Sequence, residues 1–257
     1  MVQKTVRLSP RHYAAMSSTL PWNNPVESAT LDMALSHLRL GPEDCVLDVG
    51  CGTGEVLART LTAWPCRGVG VDPDRAALEE ATRRLSAVRP RAELLACSLS
   101  DAPLDPGSYS AAFCLGASHA FGSGGEALPA ALTGLSSLVR PGGLIVLGAG
   151  YWKRIPDDDY LAATGIKADE LVSLAETLGL IEERGLAVLS CVRSSETAWD
   201  RFESEFWARV ERTAFEAPDD EQVQARWRRV QGWRDSYLRW GRTTMGFALF
   251  VLRTPVA

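Results

Sequence analysis

Apolar positions along the chain fall into short unbroken runs, separated by stretches in which they recur every three or four residues. The short runs are CVLDV (residues 45–49), GVGVD (68–72), AELLAC (92–97), YSAAFCL (109–115), LIVLGA (144–149), residues 186–192 and MGFALFVL (245–252). Runs of this length bounded by Gly, Pro and Asp predict strands, and runs apolar on both faces predict strands covered from both sides. Between them the spacing turns helical. Leu78, Ala81, Leu85 and Val88 share a face of residues 74–88, and Leu128, Leu132, Leu135 and Leu138 share a face of a helix ended by Pro141-Gly142-Gly143. Further helices are predicted over 55–63 and 169–178, the latter stopped by Gly179. Upstream, Val26, Leu31, Leu35 and Leu38 lie near one helical face before Gly41-Pro42.

Strands alternating with amphipathic helices predict an α/β fold: a doubly wound, mostly parallel seven-stranded sheet with helices on both faces. The last quarter of the pattern differs. Two helical stretches, 196–215 and 221–240, are joined through Pro218 before the final strand and hold five of the eight tryptophans. Trp199, Phe202, Phe206 and Val210 form one stripe; Val230, Trp233, Tyr237 and Trp240 form another. The first stretch is Glu-rich and the second Arg-rich, which predicts a helical hairpin inserted before the last strand. The expected organisation is one domain: an N-terminal helical segment (1–42), a Rossmann-like core (43–195), the hairpin as a cap (196–241) and the closing strand (242–257).

Composition narrows the class. Of 257 residues, 46% are hydrophobic and 23% charged, an ordinary globular balance. No run approaches the roughly 20 apolar residues of a membrane span, and the N-terminus lacks the apolar core of a signal peptide; a cytoplasmic protein is expected. A net charge of −5 disfavours nucleic acid as the main partner, because phosphate neutralisation needs a basic face. Cys45, Cys51, Cys66, Cys97, Cys114 and Cys191 are scattered without a CxxC pair. Neither a disulfide framework nor a metal site is expected.

VLDVGCGTGEV, residues 46–56, carries the most chemistry. A strand ends at Asp48-Val49, and Gly50, Gly52 and Gly54 allow a tight turn into a helix. A dinucleotide fingerprint would need a small residue where Glu55 stands, and a P-loop would need a following GK[ST]. Eighteen residues beyond Gly54, Asp72 ends the second strand, where a carboxylate accepts from both hydroxyls of a ribose. The other reading of Asp72 is a helix cap before Pro73-Asp74, with Asp74 a first-turn acid.

This string, followed by GVGVDPD and LVRPGGLIVLG, resembles the motifs of class I S-adenosylmethionine-dependent methyltransferases over residues 44–150. The resemblance implies that Asp48, Gly50, Gly52 and Gly54 line the methionine part of S-adenosylmethionine and Asp72 with Pro73 the ribose. Leu115 would border the cofactor, and its product would be S-adenosylhomocysteine. Many members carry an acid after the third strand, beside the adenine. Here the stretch reads Ala96-Cys97-Ser98-Leu99, so Ser98, Leu99, a backbone group or Asp101 takes that role.

In related enzymes the loop after strand four faces the transferring methyl. Here it holds Ser118 and His119, and His119 is the candidate general base, against a role in shaping the loop. Tyr151 and Trp152 follow strand five on the same edge; they wall the acceptor pocket or pack the sheet edge. Trp207 and Trp227 are the cap residues to consider for acceptor contact, while the two stripes are core by their spacing. Arg226, Arg228, Arg229, Arg234 and Arg239 are an anion site or a solvated face. Tyr13 and Trp22 would form a lid; His12 and His37 are surface or helix-face residues. The function expected is methyl transfer to an O, N, S or C nucleophile of a small molecule. The alternatives are an RNA or protein methyltransferase, weakened by the absence of an NPPY-type tetrapeptide, and a non-catalytic S-adenosylmethionine-binding protein.

Overall fold

The structure, a computed structural model, describes residues 22–256. Tyr13 and His12 lie outside them. Seven strands, β1 (Cys45–Val49), β2 (Arg67–Val71), β3 (Ala92–Leu95), β4 (Tyr109–Leu115), β5 (Val139–Trp152), β6 (Ala187–Arg193) and β7 (Met245–Arg253), form one sheet in the order β3-β2-β1-β4-β5-β7-β6. The pairings from β3 through to β5 are parallel, and β7 runs antiparallel to both β5 and β6. The fold is thus a doubly wound, mostly parallel α/β sheet whose one antiparallel strand comes last.

Strand alternation divides the core into two faces. Val46, Ala111, Phe113, Val146, Phe247 and Leu249 point to one side, where they meet α1 (Ser28–Leu35) through Leu31 and Leu35 and α2 (Glu55–Ala63) through Leu57 and Leu61. Leu78 and Ala81 of α3 (Arg75–Arg84) join this face. Leu47, Ala112, Cys114, Ile145, Ala248 and Phe250 point to the other side, against Leu132 and Leu135 of α4 (Ala127–Leu138). A short helix, α5 (Asp158–Thr164), follows β5, and α6 (Leu174–Glu182) adds Ile181 to the second face.

The hairpin consists of α7 (Glu196–Glu216) and α8 (Glu221–Ser236). Phe206, Val210, Val230 and Trp233 form its own small core, and the Trp233 indole N–H donates to Oε2 of the fully buried Glu203 at 2.9 Å. Ser195 caps α7 by accepting from Ala198 N and donates its hydroxyl to Glu27 Oε1 at 2.9 Å, tying the hairpin to the segment before α1. Because Met245 pairs with Trp152, the β6-to-β7 connection emerges at the carboxyl edge of the sheet, where β1 and β4 also end. The hairpin therefore sits at the edge where this fold holds ligands.

Several boundaries differ from those the spacing predicts. α6 starts at Leu174 rather than 169 and runs through Gly179, because Ser173 and Glu176 form a reciprocal capping box and Gly185, at φ +68°, makes the left-handed stop. α4 ends at Leu138, and Val139 to Gly143 already belong to β5, with a register shift opposite Tyr109 and Ala111. α3 ends at Arg84 and continues as a 3₁₀ segment over Ser86–Arg91. The α-helical geometry of α8 stops at Ser236, and a π-helical turn over Tyr237–Gly241 leads toward β7.

Candidate active site

The turn after β1 is held by backbone geometry. Gly50 and Cys51 donate to Val71 O at 2.8 and 3.1 Å, which locks the turn to the end of β2. Gly50 has φ +69°, and a Cβ there would stand 2.4 Å from the Cβ of Ala117, so the turn presses directly on the loop after β4. Gly52, at φ +50°, is the opposite case: a Cβ would meet nothing within 4 Å, so the space beside it is open. Behind the turn, Glu55 in the first turn of α2 pairs with Arg59 at 2.8 Å and Arg84 at 3.2 Å, and Arg84 donates to Thr53 Oγ1 at 2.7 Å.

Two carboxylates flank this turn in different states. Asp72 is half-buried; its Oδ2 accepts from Gly52 N at 2.9 Å and its Oδ1 from Asp74 N at 2.8 Å. It braces the glycine turn, and capping of α3 falls to Asp74, whose carboxylate accepts from Ala76 N and Ala77 N. Asp74 is the cap itself rather than a first-turn acid. Asp48 is 2% exposed, and its Oδ2 has no hydrogen-bond partner among the described residues. Burial, with the negative charge of Asp72 nearby, pushes the Asp48 carboxyl up to about 7.

At the end of β3, Ser98 Oγ donates to Asp101 Oδ2 at 2.6 Å, with Ser100 Oγ at 2.8 Å, and Leu99 is half-buried beside them. A carboxylate thus does stand at this edge, three residues after Ser98. Leu115 ends β4 half-buried, and Gly116, φ +73°, donates to Gly148 O. Ser118 and His119 occupy the following 3₁₀ turn, Ser118 half-buried and His119 exposed. Pro73 is exposed beside Asp72.

The aromatic candidates are more deeply packed. Tyr151 is buried on the face opposite α1 and α2, its ring lying over Gly246. Trp152 is buried, donates from Nε1 to Ala168 O at 2.9 Å and meets Tyr160 edge-on at 6.4 Å. Trp227 packs on the hairpin core, and Trp207 bridges that core and the sheet core, edge-on to Tyr237 at 5.8 Å. Trp22 donates to Val26 O and lies under the Arg59 guanidinium. His37 is exposed.

Sequence reasoning missed a polar group at the base of the cap. Tyr237 donates to Asp200 Oδ1 at 2.8 Å, and Arg242 grips both oxygens of Asp200 at 2.9 Å each. The Arg242 guanidinium holds Asp200 below the usual carboxylate range, while burial pushes the Tyr237 phenol up. These residues are far apart in sequence, and no spacing signal links them.

Residues 46–143 match the family model described as a methyltransferase domain. A SAM-dependent methyltransferase from Geobacter sulfurreducens, solved in complex with S-adenosyl-L-homocysteine, superposes with a TM-score of 0.82 at 25% identity, covering 95% of this chain and 98% of that one. The domain match and the superposition together support a class I S-adenosylmethionine-dependent methyltransferase. The uncharacterized protein YjhP of Escherichia coli (strain K12) is 26% identical to this methyltransferase over 255 residues, 95% of this chain and 98% of that protein. A second methyltransferase structure, from Thiobacillus denitrificans, has a TM-score of 0.81 at 24% identity over 96% of this chain and 99% of that one, a likeness of fold. Among the described residues, no helix is long and apolar enough to cross a membrane.

Proposed function

We propose that this methyltransferase acts on a small molecule, held between the loop after β4 and the helical cap. The observation that carries the reading is the cap's position: a hairpin rich in buried aromatic residues stands at the carboxyl edge, tied to the N-terminal segment through Ser195 and Glu27. A macromolecular acceptor would call for an open, basic approach, and the chain carries a net charge of −5.

The cofactor fits what the residues offer. The open side of Gly52 admits the methionine part, and the buried Asp48 carboxylate, whose Oδ2 has no partner among the described residues, supplies a counter-charge for an ammonium. Each Asp72 oxygen accepts one backbone N–H and retains a lone pair for a ribose hydroxyl. Ser98, Leu99 and Asp101 suit the adenine, with Pro73 and Leu115 at the borders. S-adenosylmethionine supplies an electrophilic methyl on a sulfonium, so the protein's task is alignment and water exclusion. His119, exposed on the β4 loop, takes the acceptor's proton where one must leave. Replacing it by Ala is expected to slow turnover roughly 10²-fold or more with cofactor affinity unchanged.

The test is incubation with methyl-labelled S-adenosylmethionine and a cell extract. Label is expected in the small-molecule fraction. Label in RNA or protein, or none in any fraction, would overturn the reading.

A further inference from the structure

On the sheet face that carries α1 and α2, the cap contributes four aromatic rings, Trp199, Phe202, Trp207 and Tyr237, to one cluster. Trp199 stacks on Tyr237 with centroids 6.4 Å apart and planes at 26°, and Trp207 meets Tyr237 edge-on at 5.8 Å. Tyr237 is fixed from behind by Asp200 and opens the π-helical turn, a geometry that recurs at functional sites. Leu115, Met245 and Phe247 belong to the same cluster. Asn24 joins it from the N-terminal side: its Cβ and the Phe247 ring both stand 3.9 Å from where a Gly116 Cβ would be, at the start of the β4 loop.

Buried polar atoms are almost always hydrogen-bonded. Elsewhere in this chain the rule holds for indoles: Trp22, Trp152 and Trp233 donate to Val26 O, Ala168 O and Glu203 Oε2. It fails in this cluster. The Nε1 atoms of Trp199 and Trp207 and the Oδ1 of Asn24 are buried with no partner among the described residues, although Asn24 is 7% and Trp199 8% exposed. Two donors and one acceptor that do not satisfy each other, the donors on rings of this cluster and the acceptor beside Gly116, fit the complement of a ligand.

We propose that Asn24, Trp199, Trp207 and Tyr237 form the acceptor pocket, and that its occupant is an uncharged aromatic molecule carrying a hydroxyl. Asn24 Oδ1 receives the hydroxyl hydrogen beside the β4 loop, the two indole N–H groups donate to oxygen on the ligand, and its rings lie along Trp199 and Tyr237. This rests on the small-molecule reading above and names the acceptor's class. Among the described residues, the guanidinium that shares Asp200 with Tyr237, that of Arg242, is committed to Asp200 and Glu196 and does not offer a free charge to an anionic acceptor.

The test uses the full chain saturated with S-adenosylhomocysteine and three probes, 2-naphthol, 2-methoxynaphthalene and 2-naphthoate, titrated by calorimetry. The tightest binding is expected for 2-naphthol. Trp199→Phe and Trp207→Phe keep a ring and remove the N–H; each should weaken 2-naphthol about 3–10-fold, and Asn24→Leu about tenfold, the range of single hydrogen bonds. Thermal midpoints should hold or rise in the Phe variants, since an unpaired donor is lost, and S-adenosylhomocysteine affinity should not change. Failure of 2-naphthol to bind, equal binding by all three variants, or preference for 2-naphthoate would overturn the pocket while leaving the cofactor assignment standing. Failure of wild-type protein to bind S-adenosylhomocysteine would instead remove the reading beneath it.

Discussion

The glycine turn and the helical cap meet at one sheet edge but are held together by different means. At the turn, the main constraints are hydrogen bonds from backbone N–H groups at two adjacent strand ends: Gly50 and Cys51 to Val71 and Gly52 to Asp72, with Asp74 N holding Asp72 in place. The cap is held by large rings in contact and by a few long-range polar links such as Trp233 to Glu203 and Tyr237 to Asp200. A region built from backbone geometry tolerates almost no sequence change and suits a ligand that never varies. One built from side-chain packing can be re-cut, and suits the partner that differs from enzyme to enzyme. On the function proposed above, the methyl donor and the methyl acceptor divide along that line.

The sharpest test of the cap side is Trp233→Ala. The ring fills the hairpin core and its N–H satisfies a fully buried carboxylate, so roughly 3–5 kcal/mol of stability should be lost. Chemical denaturation would read it; a loss under 1 kcal/mol would mean that packing does not hold the hairpin.

On the turn side, the largest effect should come from pH. The Asp48 carboxyl is raised in the folded protein, so its contribution is fully present at low pH and is lost as pH rises from about 4 toward 7. A displacement of this size corresponds to roughly 4 kcal/mol at most. Asp48→Asn should therefore match the wild type near pH 4 and exceed its stability at pH 8 without cofactor. Parallel stability curves for the two proteins across that range would show that Asp48 does not titrate there.

Asp72→Ala comes next. It removes the proposed ribose acceptor and the brace on Gly52, and S-adenosylmethionine affinity should fall by roughly 2–4 kcal/mol. The fold should persist because the sheet pairings of β2 are untouched. Calorimetry against S-adenosylmethionine, with NADH as the non-binding control, measures this; an unchanged dissociation constant would reduce Asp72 to a loop brace.

How far each region is legible in sequence follows from the same contrast. Strands β1, β2 and β4, the glycine turn and Asp72 lie within short spans whose spacing has one good solution, and the order of elements carries the rest of the sheet. Boundaries set by competition were harder: Gly179 reads as a stop, but the Ser173–Glu176 capping box shifts the helix past it. Asp101 at the β3 edge was visible only as an alternative to Ser98, because a 3₁₀ turn folds it back. Asn24 beside Gly116, and the joint commitment of Asp200, Tyr237 and Arg242, have no local signature at all. Tryptophan spacing assigned Trp199 to a core stripe, which the packing bears out, yet periodicity cannot tell a satisfied indole from an orphaned one.

The smallest expected change in stability sits at the centre of the cofactor edge and separates conformational from steric roles of glycine. Gly50 and Gly52 both have positive φ, so alanine at either position carries the left-handed penalty of roughly 1–2 kcal/mol. At Gly50 the new methyl would also collide with Ala117, and the loop after β4 would have to move. At Gly52 the methyl would meet nothing in the protein, and its N–H could still donate to Asp72. Gly52→Ala should therefore cost only about 1 kcal/mol of stability. The open side is where the methionine part of the cofactor is proposed to lie, so the same methyl should weaken S-adenosylmethionine binding far more than it weakens the fold. Urea unfolding and calorimetry on the one variant measure both quantities. A fall in affinity no larger than the fall in stability would mean that the space beside Gly52 is solvent and that the cofactor runs elsewhere along the edge.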